Sequence, residues 1–490
     1  MWSLLAFLLY AVILFAIGFL AHRAQKKKNN LSKHDELDSH LMGGRSLNYY
    51  VTALSAHASD MSSWIFLAFP MQIYLHGLKS LWIGLGLLLG MWINWKFVAK
   101  KIRLLSQETN TYTLNGILLH FFPHYPRLLN AICTLSLIIF TTYYLAAGLT
   151  SIGLLFDSML GINYYVGVVL AVILVLSYTT LGGFVSVAWT DFFQAVFLLV
   201  MILLVPISSF FEFSSLEKLQ EIFTNWRSQT SNNKGNFFDF DQVLLAISWG
   251  LGYFGMPHIL TKFMGIQDPQ EIKKSMRLGI SWQFLALSGS ALIGFIGLLV
   301  VPAELNLQEV LFIHLVQKLY HPFIAGFILC GVLAATISTM DSQILVLSTS
   351  AQKDLRPLLN FKFFSKNEFG LLFAKLSGVF ATIIAMIIAL FRSETINETV
   401  FYAWSGLGLS FGPILLICLF FMARQNFDQI KNRKEFSLAA LFCILSGLLI
   451  TFFWPHFSKY LELTNIPSML VGMIVCTLVF FLTSFRFKLT

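Results

Sequence analysis

Ser55-Ala56-His57-Ala58-Ser59-Asp60-Met61-Ser62-Ser63 is a small, polar run with a carboxylate at its heart, set inside an apolar stretch over residues 48–75. A second apolar stretch, residues 240–260, is interrupted by Trp249-Gly250-Leu251-Gly252-Tyr253-Phe254-Gly255-Met256-Pro257, with three glycines and a proline. Neither run favours continuous helix. Unwound backbone is tolerated at membrane depth only where protein buries it or where it lines a cavity. The two runs therefore predict broken membrane helices, or in the plainest alternative two kinked helices whose glycines allow close packing.

Composition supplies the membrane. The chain has 490 residues, 57% of them hydrophobic and only 12% charged. A soluble domain of this size would be about one-quarter charged. The formal net charge of +9 does not point to nucleic acid, because the basic residues form short clusters between apolar runs. Cys133, Cys330, Cys418, Cys443 and Cys476 all lie in apolar segments with no CxxC pair, which reads as small buried hydrophobes. No nucleophile elbow, phosphate loop or metal-ligand cluster is present, so enzymatic chemistry has no support and the chain reads as a non-enzyme.

Thirteen segments meet the apolar length of a span, roughly 20 residues. They centre on 2–21, 48–75, 80–99, 127–155, 163–181, 191–210, 240–260, 282–303, 322–349, 370–391, 400–422, 437–454 and 466–485. With the N-terminus outside and the C-terminus in the cytoplasm, 26 of the 33 lysines and arginines face inward and 7 outward. Lys26-Lys27-Lys28 reads as the flank that stops the first span, with lipid-headgroup contact as the alternative. Within residues 211–240, Leu216, Leu219, Ile222, Phe223 and Trp226 have the spacing of a short amphipathic helix on the outer face. The reading is one all-α polytopic domain over 1–490, with an N-terminal span and loop (1–47), a core (48–425) and two C-terminal spans (426–490).

The two breaks are five spans apart. Five is odd, so the halves enter the membrane from opposite sides, as in a 5+5 inverted-repeat transporter built on spans 2–6 and 7–11. Freed carbonyls there can hold a cation and helix N-termini a carboxylate. In the ninth span Ser338, Asp341 and Ser342 lie at i, i+3 and i+4 on one face. A carboxylate at that depth is costly and should face the interior. Hydroxyls beside an unwound carbonyl row suit a hard cation such as sodium, though such hydroxyls also bond their own helix. Asp191 reads as a helix cap at a cytoplasmic turn or as a transport residue. Arg45 and Lys375 sit at cytoplasmic span ends, where positive charge is ordinary. His57 and His258 adjoin the breaks, as proton relays or as satisfied cavity histidines.

At these residues the sequence resembles the sodium:solute symporter family, from about residue 5 to 425. Gly43-Gly44-Arg45-Ser46-Leu47, Ala58-Ser59-Asp60-Met61-Ser62, Trp92-Ile93-Asn94-Trp95-Lys96, Gly182-Gly183-Phe184 with Trp189-Thr190-Asp191, Gly252-Tyr253-Phe254-Gly255 with Pro257-His258, and Ala403-Trp404-Ser405-Gly406 with Gly412-Pro413 carry the likeness. Within the family it is similar to the bacterial sodium/proline permeases. The resemblance implies the leucine-transporter-type fold. It also implies a sodium ion on Ala58, Met61, Ala335, Ser338 and Thr339, with Asp60 needed for sodium use. Solute contacts fall by the same resemblance on Tyr144, Trp249, Tyr253 and Pro257. Asp341, Ser342, Asp191 and Arg45 stand as candidates for a second cation site or a gate. His57 and Ser63 stand where glycines are usual and Met256 where a glutamine is usual, which bears on the solute more than on sodium. Lys375 stands in place of an arginine and keeps the charge. The implied function is sodium-coupled import of a small solute, proline first, by alternating access in a bacterial inner membrane. Another amino acid or small carboxylate is the alternative, and a transporter-like sensor is the reading from another class. No nucleic-acid partner or obligate protein partner is implied.

Overall fold

In hydrocarbon every backbone amide must find its partner within the chain, so a sequence this apolar folds as helix. The computed structural model describes residues 2–28, 41–179, 183–212, 237–301, 309–359, 370–391, 394–422 and 432–486. In chain order its main helices are α1 (Trp2–Lys28), α2 (Tyr49–Met61), α3 (Ala68–His76), α4 (Leu81–Ile93), α5 (Lys100–Glu108), α6 (Leu114–Phe121), α7 (Pro126–Leu160), α8 (Tyr164–Thr179) and α9 (Phe184–Glu212). There follow α10 (Phe240–Gly252), α11 (Pro257–Met264), α12 (Ile272–Val300), α13 (Leu311–Leu319), α14 (Pro322–Ser350), α15 (Gly370–Leu390), α16 (Ile396–Phe421), α17 (Lys434–Tyr460) and α18 (Ser468–Arg486). The residues expected to form an outer amphipathic helix, Leu216 to Trp226, and Gly182 of the cytoplasmic turn lie outside the described residues.

Among the described residues nine helices are long and apolar enough to cross a membrane, or ten when the bent pair α10–α11 counts as one span. The sequence expectation was thirteen. The difference has two sources. The apolar parts of α8 and α18, Tyr164–Ser177 and Ser468–Ser484, are short, and residues 63–108 run on as one 46-residue helical stretch. Leu4, Val12, Phe19, Phe380, Phe391 and Leu478 stay exposed on the outside, as lipid rather than water requires. α14 and α16 are the most enclosed of the long helices, α1 and α15 the least.

Both sequence interruptions become breaks. Asn48 caps α2 by accepting from the Val51 amide, and α2 ends at Met61, where Ser62 adopts φ 53°. A non-glycine residue in that region is strained and ends the helix. A 3₁₀ turn over Ser63–Ile65 leads on towards α3. α10 ends at Gly252, a 3₁₀ turn covers Tyr253–Gly255, and Met256 is extended. Pro257 then starts α11, whose first turn needs no amide from it. The axes of α10 and α11 differ by 49°.

Two local devices fix these breaks in place. α4 packs directly on α10, because a Cβ on Gly86 or Gly90 would strike the backbone of Ala246 or Gly250. That is the small-residue packing expected of membrane helices. At the opposite end Leu47, just before α2, forms an isolated parallel bridge with Ile266, just after α11. The Leu47 amide donates to Gly265 O at 3.1 Å, and Leu47 O accepts from Gln267 at 2.8 Å. Arg103 Nε adds a bond to Ile266 O at 2.7 Å.

Candidate functional site

Two sites form around the breaks, and helical periodicity separates them. Ala58 and Asp60 are two residues apart, about 200° around the helix, so they serve opposite sides of α2. On one side Ala58 O accepts from Ser338 Oγ of α14 at 2.9 Å, and Thr339 Oγ1 reaches the same oxygen at 3.5 Å. Both hydroxyls also bond Ala335 O, at 3.0 and 3.1 Å. Two carbonyls and two hydroxyls thus converge in a fully buried place beside the end of α2. That is an oxygen-only set, and Met61 closes the helix end next to it.

On the other side Asp60 lies in an aromatic wall. Its Oδ2 accepts from Tyr253 Oη at 2.6 Å, and Gln283 Nε2 donates to that same Oη at 3.1 Å. Asp60, Met61, Trp64, Leu87, Tyr144, Trp249, Tyr253, Val400 and Trp404 enclose a void of about 250 Å³, its mouth included. Trp249 packs on Trp64 and Trp404 with ring centres 5.2 and 5.8 Å apart, and Tyr253 meets Trp404 edge-on at 5.1 Å. Gly252 makes this possible: any Cβ there would collide with the Trp404 indole, whose Nε1 donates to Trp249 O at 3.0 Å. The Asp60 carboxylate was expected with the hydroxyl cluster. It stands instead in the void's wall, bonded to α10's end.

Pro257 departs from its expected place. It lines a different void of about 240 Å³, with Tyr112, Leu137, Thr261 and Ser350. As first residue of α11 it sits past the break, while Trp249 and Tyr253 come before it and Tyr144 reaches the first void from α7. Between the two voids His258 meets Tyr144 edge-on at 5.9 Å.

The candidates for a second site separate as well. α14 is buried around its circumference, so residues at i, i+3 and i+4 reach different neighbours. Ser338 faces α2, Asp341 Oδ1 accepts from Thr179 Oγ1 of α8 at 2.8 Å, and Ser342 Oγ donates to Asp191 of α9 at 3.2 Å. Asp191 is no helix cap. It lies inside α9, and its Oδ2 also accepts from Ser55 Oγ at 2.8 Å and from Lys262 Nζ of α11 at 2.8 Å. Both charged side chains are sealed from solvent. Arg45 stands apart, donating to Ser106 O at 2.7 Å and lying over the Tyr112 ring at 5.5 Å. His57 accepts from Trp95 Nε1 at 3.1 Å and stacks on that ring. Lys375 is half-buried on α15.

Sequence reasoning did not single out Lys262, Gln283, Trp64 or Trp404 as site residues. Lys262 carries a signal in the sequence, a lone cation between Thr261 and Phe263 in an apolar run, but nothing local points to Asp191 as its partner. Gln283 carried none, since its role depends on where α12 packs.

Comparison with known proteins bears on this geometry. The profile described as the sodium:solute symporter family matches residues 40–427. The high-affinity proline transporter PutP of Bacillus subtilis (strain 168) is 37% identical over 412 residues, 82% of this chain and 84% of its own. The sodium/proline symporter of Staphylococcus aureus (strain JH9) is 34% identical over 486 residues, 97% of this chain and 91% of its own. Among solved structures, the substrate-bound outward-open state of a Na+-coupled sialic acid symporter superposes with a TM-score of 0.76 at 18% identity, over 99% of this chain and 98% of that one. At that identity the likeness speaks to the fold.

Proposed function

The chain belongs to the sodium:solute symporter family, and from that premise we propose that it imports L-proline, or a solute of closely similar shape, with sodium. The observation that carries the sodium half is the convergence of Ser338 Oγ and Thr339 Oγ1 on the carbonyls of Ala58 and Ala335. Oxygen ligands at a helix break suit a hard cation. Rotating two hydroxyl protons away would turn four oxygens toward one ion, with the Met61 carbonyl as a fifth. Asp60 supplies a negative charge about half a turn further along α2, on the solute side of the break, where it accepts from Tyr253.

The proline half rests on the names of the relatives and on the aromatic void. Three tryptophans and two tyrosines enclose that void around the Asp60 carboxylate, which suits a small zwitterionic solute. Aromatic faces supply contact area and attract a cationic amine. Thirteen spans in a bacterial inner membrane, N-terminus outside, complete the reading, with spans 2–6 and 7–11 as inverted repeats. Alternating access would then swing the enclosed α2, α3, α10 and α11 against the rest. The test is uptake of labelled proline into proteoliposomes of the purified protein. An inward sodium gradient should drive accumulation, and its dissipation should abolish it. Equal uptake with and without the gradient would exclude symport.

A further inference from the structure

Tyr253 is where the two breaks meet. It opens the 3₁₀ turn after α10, and its hydroxyl crosses 193 residues of sequence to Asp60 of α2. Two amides hold it. Asn94 Nδ2 donates to Tyr253 O at 3.1 Å, and Gln283 Nε2 of α12 donates to Tyr253 Oη at 3.1 Å. Asn94, Tyr253 and Gln283 are all sealed from solvent. In both amides the oxygen is left over: Asn94 Oδ1 and Gln283 Oε1 are buried and have no hydrogen-bond partner among the described residues. A buried acceptor without a donor is destabilising. Both side chains therefore act here through their N–H groups, and both act on Tyr253.

A phenol carries one hydrogen. Asp60 Oδ2, at 2.6 Å, takes it, so a second neighbour of Oη must come as a donor. Gln283 meets that requirement, whereas a carbonyl or carboxylate in its place would draw the hydrogen away from Asp60. We propose that Gln283 is a positioning residue for the solute. Its amide commits the Tyr253 hydroxyl to Asp60, which ties one carboxylate oxygen to the end of α10 and leaves the other to receive the solute's amine. Gln283 does not line the void, so it acts through Tyr253. The proposal rests on the symport reading and adds a residue to that same site.

The experiment follows sodium-driven uptake of labelled proline by the full chain in proteoliposomes, with equal pH on both sides. The parent is compared with Gln283→Leu, Gln283→Glu, Tyr253→Phe and the double variant Tyr253→Phe with Gln283→Leu. Gln283→Leu should raise the KM for proline about tenfold at every pH. A neutral carboxyl can donate to Oη as the amide does, and a carboxylate can only accept. The KM of Gln283→Glu should therefore approach the parent's near about pH 5 and rise toward about pH 9. Titratable groups on the helices packed against α12, among them His57 and Asp60 of α2, Tyr74 of α3 and Asp191 of α9 with its partner Lys262, are common to the parent and both single Gln283 variants, so the parent's own pH profile is the reference. Once Tyr253→Phe has removed the hydroxyl, Gln283→Leu should change the KM by less than about twofold. A parental KM in Gln283→Leu overturns the proposal. So does equal impairment of Gln283→Leu and Gln283→Glu at every pH, or an undiminished effect of Gln283→Leu on top of Tyr253→Phe, since each marks a merely structural role. All three leave the symport reading intact, because the parent still accumulates proline with sodium. If the parent takes up no proline, both readings fall.

Discussion

A single hydroxyl decides little in water and much beside a dehydrated cation. Thr339→Ala and Ser338→Ala should each raise the sodium concentration for half-maximal uptake, while proline affinity at saturating sodium stays near that of the parent. Sodium titration of proline binding checks this, and parental sodium dependence in both variants would make these hydroxyls structural. Asp60→Asn should be more severe and should impair both ligands, since its carboxylate adjoins the solute void as well. Tyr144→Ala and Trp249→Ala should raise the KM for proline with normal membrane insertion, by about 1–3 kcal/mol in binding. Unchanged affinity in both would move the solute elsewhere. Asp60, Ser338 and Thr339 stand out in the sequence as polar groups in mid-membrane and Trp249 as an aromatic beside glycines, whereas Tyr144 carries no such signal and its proposed role comes from the family resemblance. Pro257, assigned by the same resemblance, misled. Its place in the motif predicted the break, but the direction in which α11 departs puts it against the other void. Which face of α2 Asp60 occupies follows from counting 100° per residue, yet which helix meets that face does not.

Helices act here as carriers that must separate and rejoin, and two contacts between them invite tests. Lys262 of α11 and Asp191 of α9 form a sealed ion pair that also ties Ser55 of α2 and Ser342 of α14. Removing one partner of such a pair strands the other charge and costs about 3–5 kcal/mol. Lys262→Met should therefore lower thermal stability strongly, and Lys262→Met with Asp191→Asn should regain most of it. Melting of the detergent-solubilised variants reports the outcome, and a double variant as unstable as the single would show that charge is not the cause. Lys79 donates to Asp239 Oδ2 at 2.9 Å, and Asp239 also caps α10. The hydrogen bond from Lys79, opposed by partial burial, holds the Asp239 carboxyl below its ordinary 3.8. The folded form thus binds its proton more weakly than the unfolded one. The stabilisation is present above the ordinary value and is lost as pH falls through the lowered one. Loosening of α10's first turn, read by a spin label at Phe237, should appear only below about pH 4 and should shift upward in Lys79→Met. The breaks themselves were readable from glycine, proline and serine content. The Lys262–Asp191 pair was not, because the two residues lie 71 apart and nothing local joins them.

Across the whole molecule, the periodicity of apolar runs and the asymmetry of lysine and arginine carry the architecture. The core order is legible from the two breaks and their odd separation, whereas the span count is not, since α8 and α18 are short and residues 63–108 merge two spans. Orientation is a prediction of the charge asymmetry: an impermeant amine label applied to intact cells should reach Lys79 and spare Lys353, and the reverse pattern would invert the topology. The bond between Ala58 and Ser338 spans 280 residues of chain. A ribosome adds about 5–20 residues per second, so the broken second helix waits roughly 15–60 s in the bilayer before the helix that satisfies it is even synthesised. The nascent chain therefore passes through an interval in which its most polar membrane segment lacks the partner that holds its last carbonyls. Survival of that segment is a matter of timing during biogenesis, set by elongation speed and by whatever shelters a half-made bundle, as much as of the finished protein's stability.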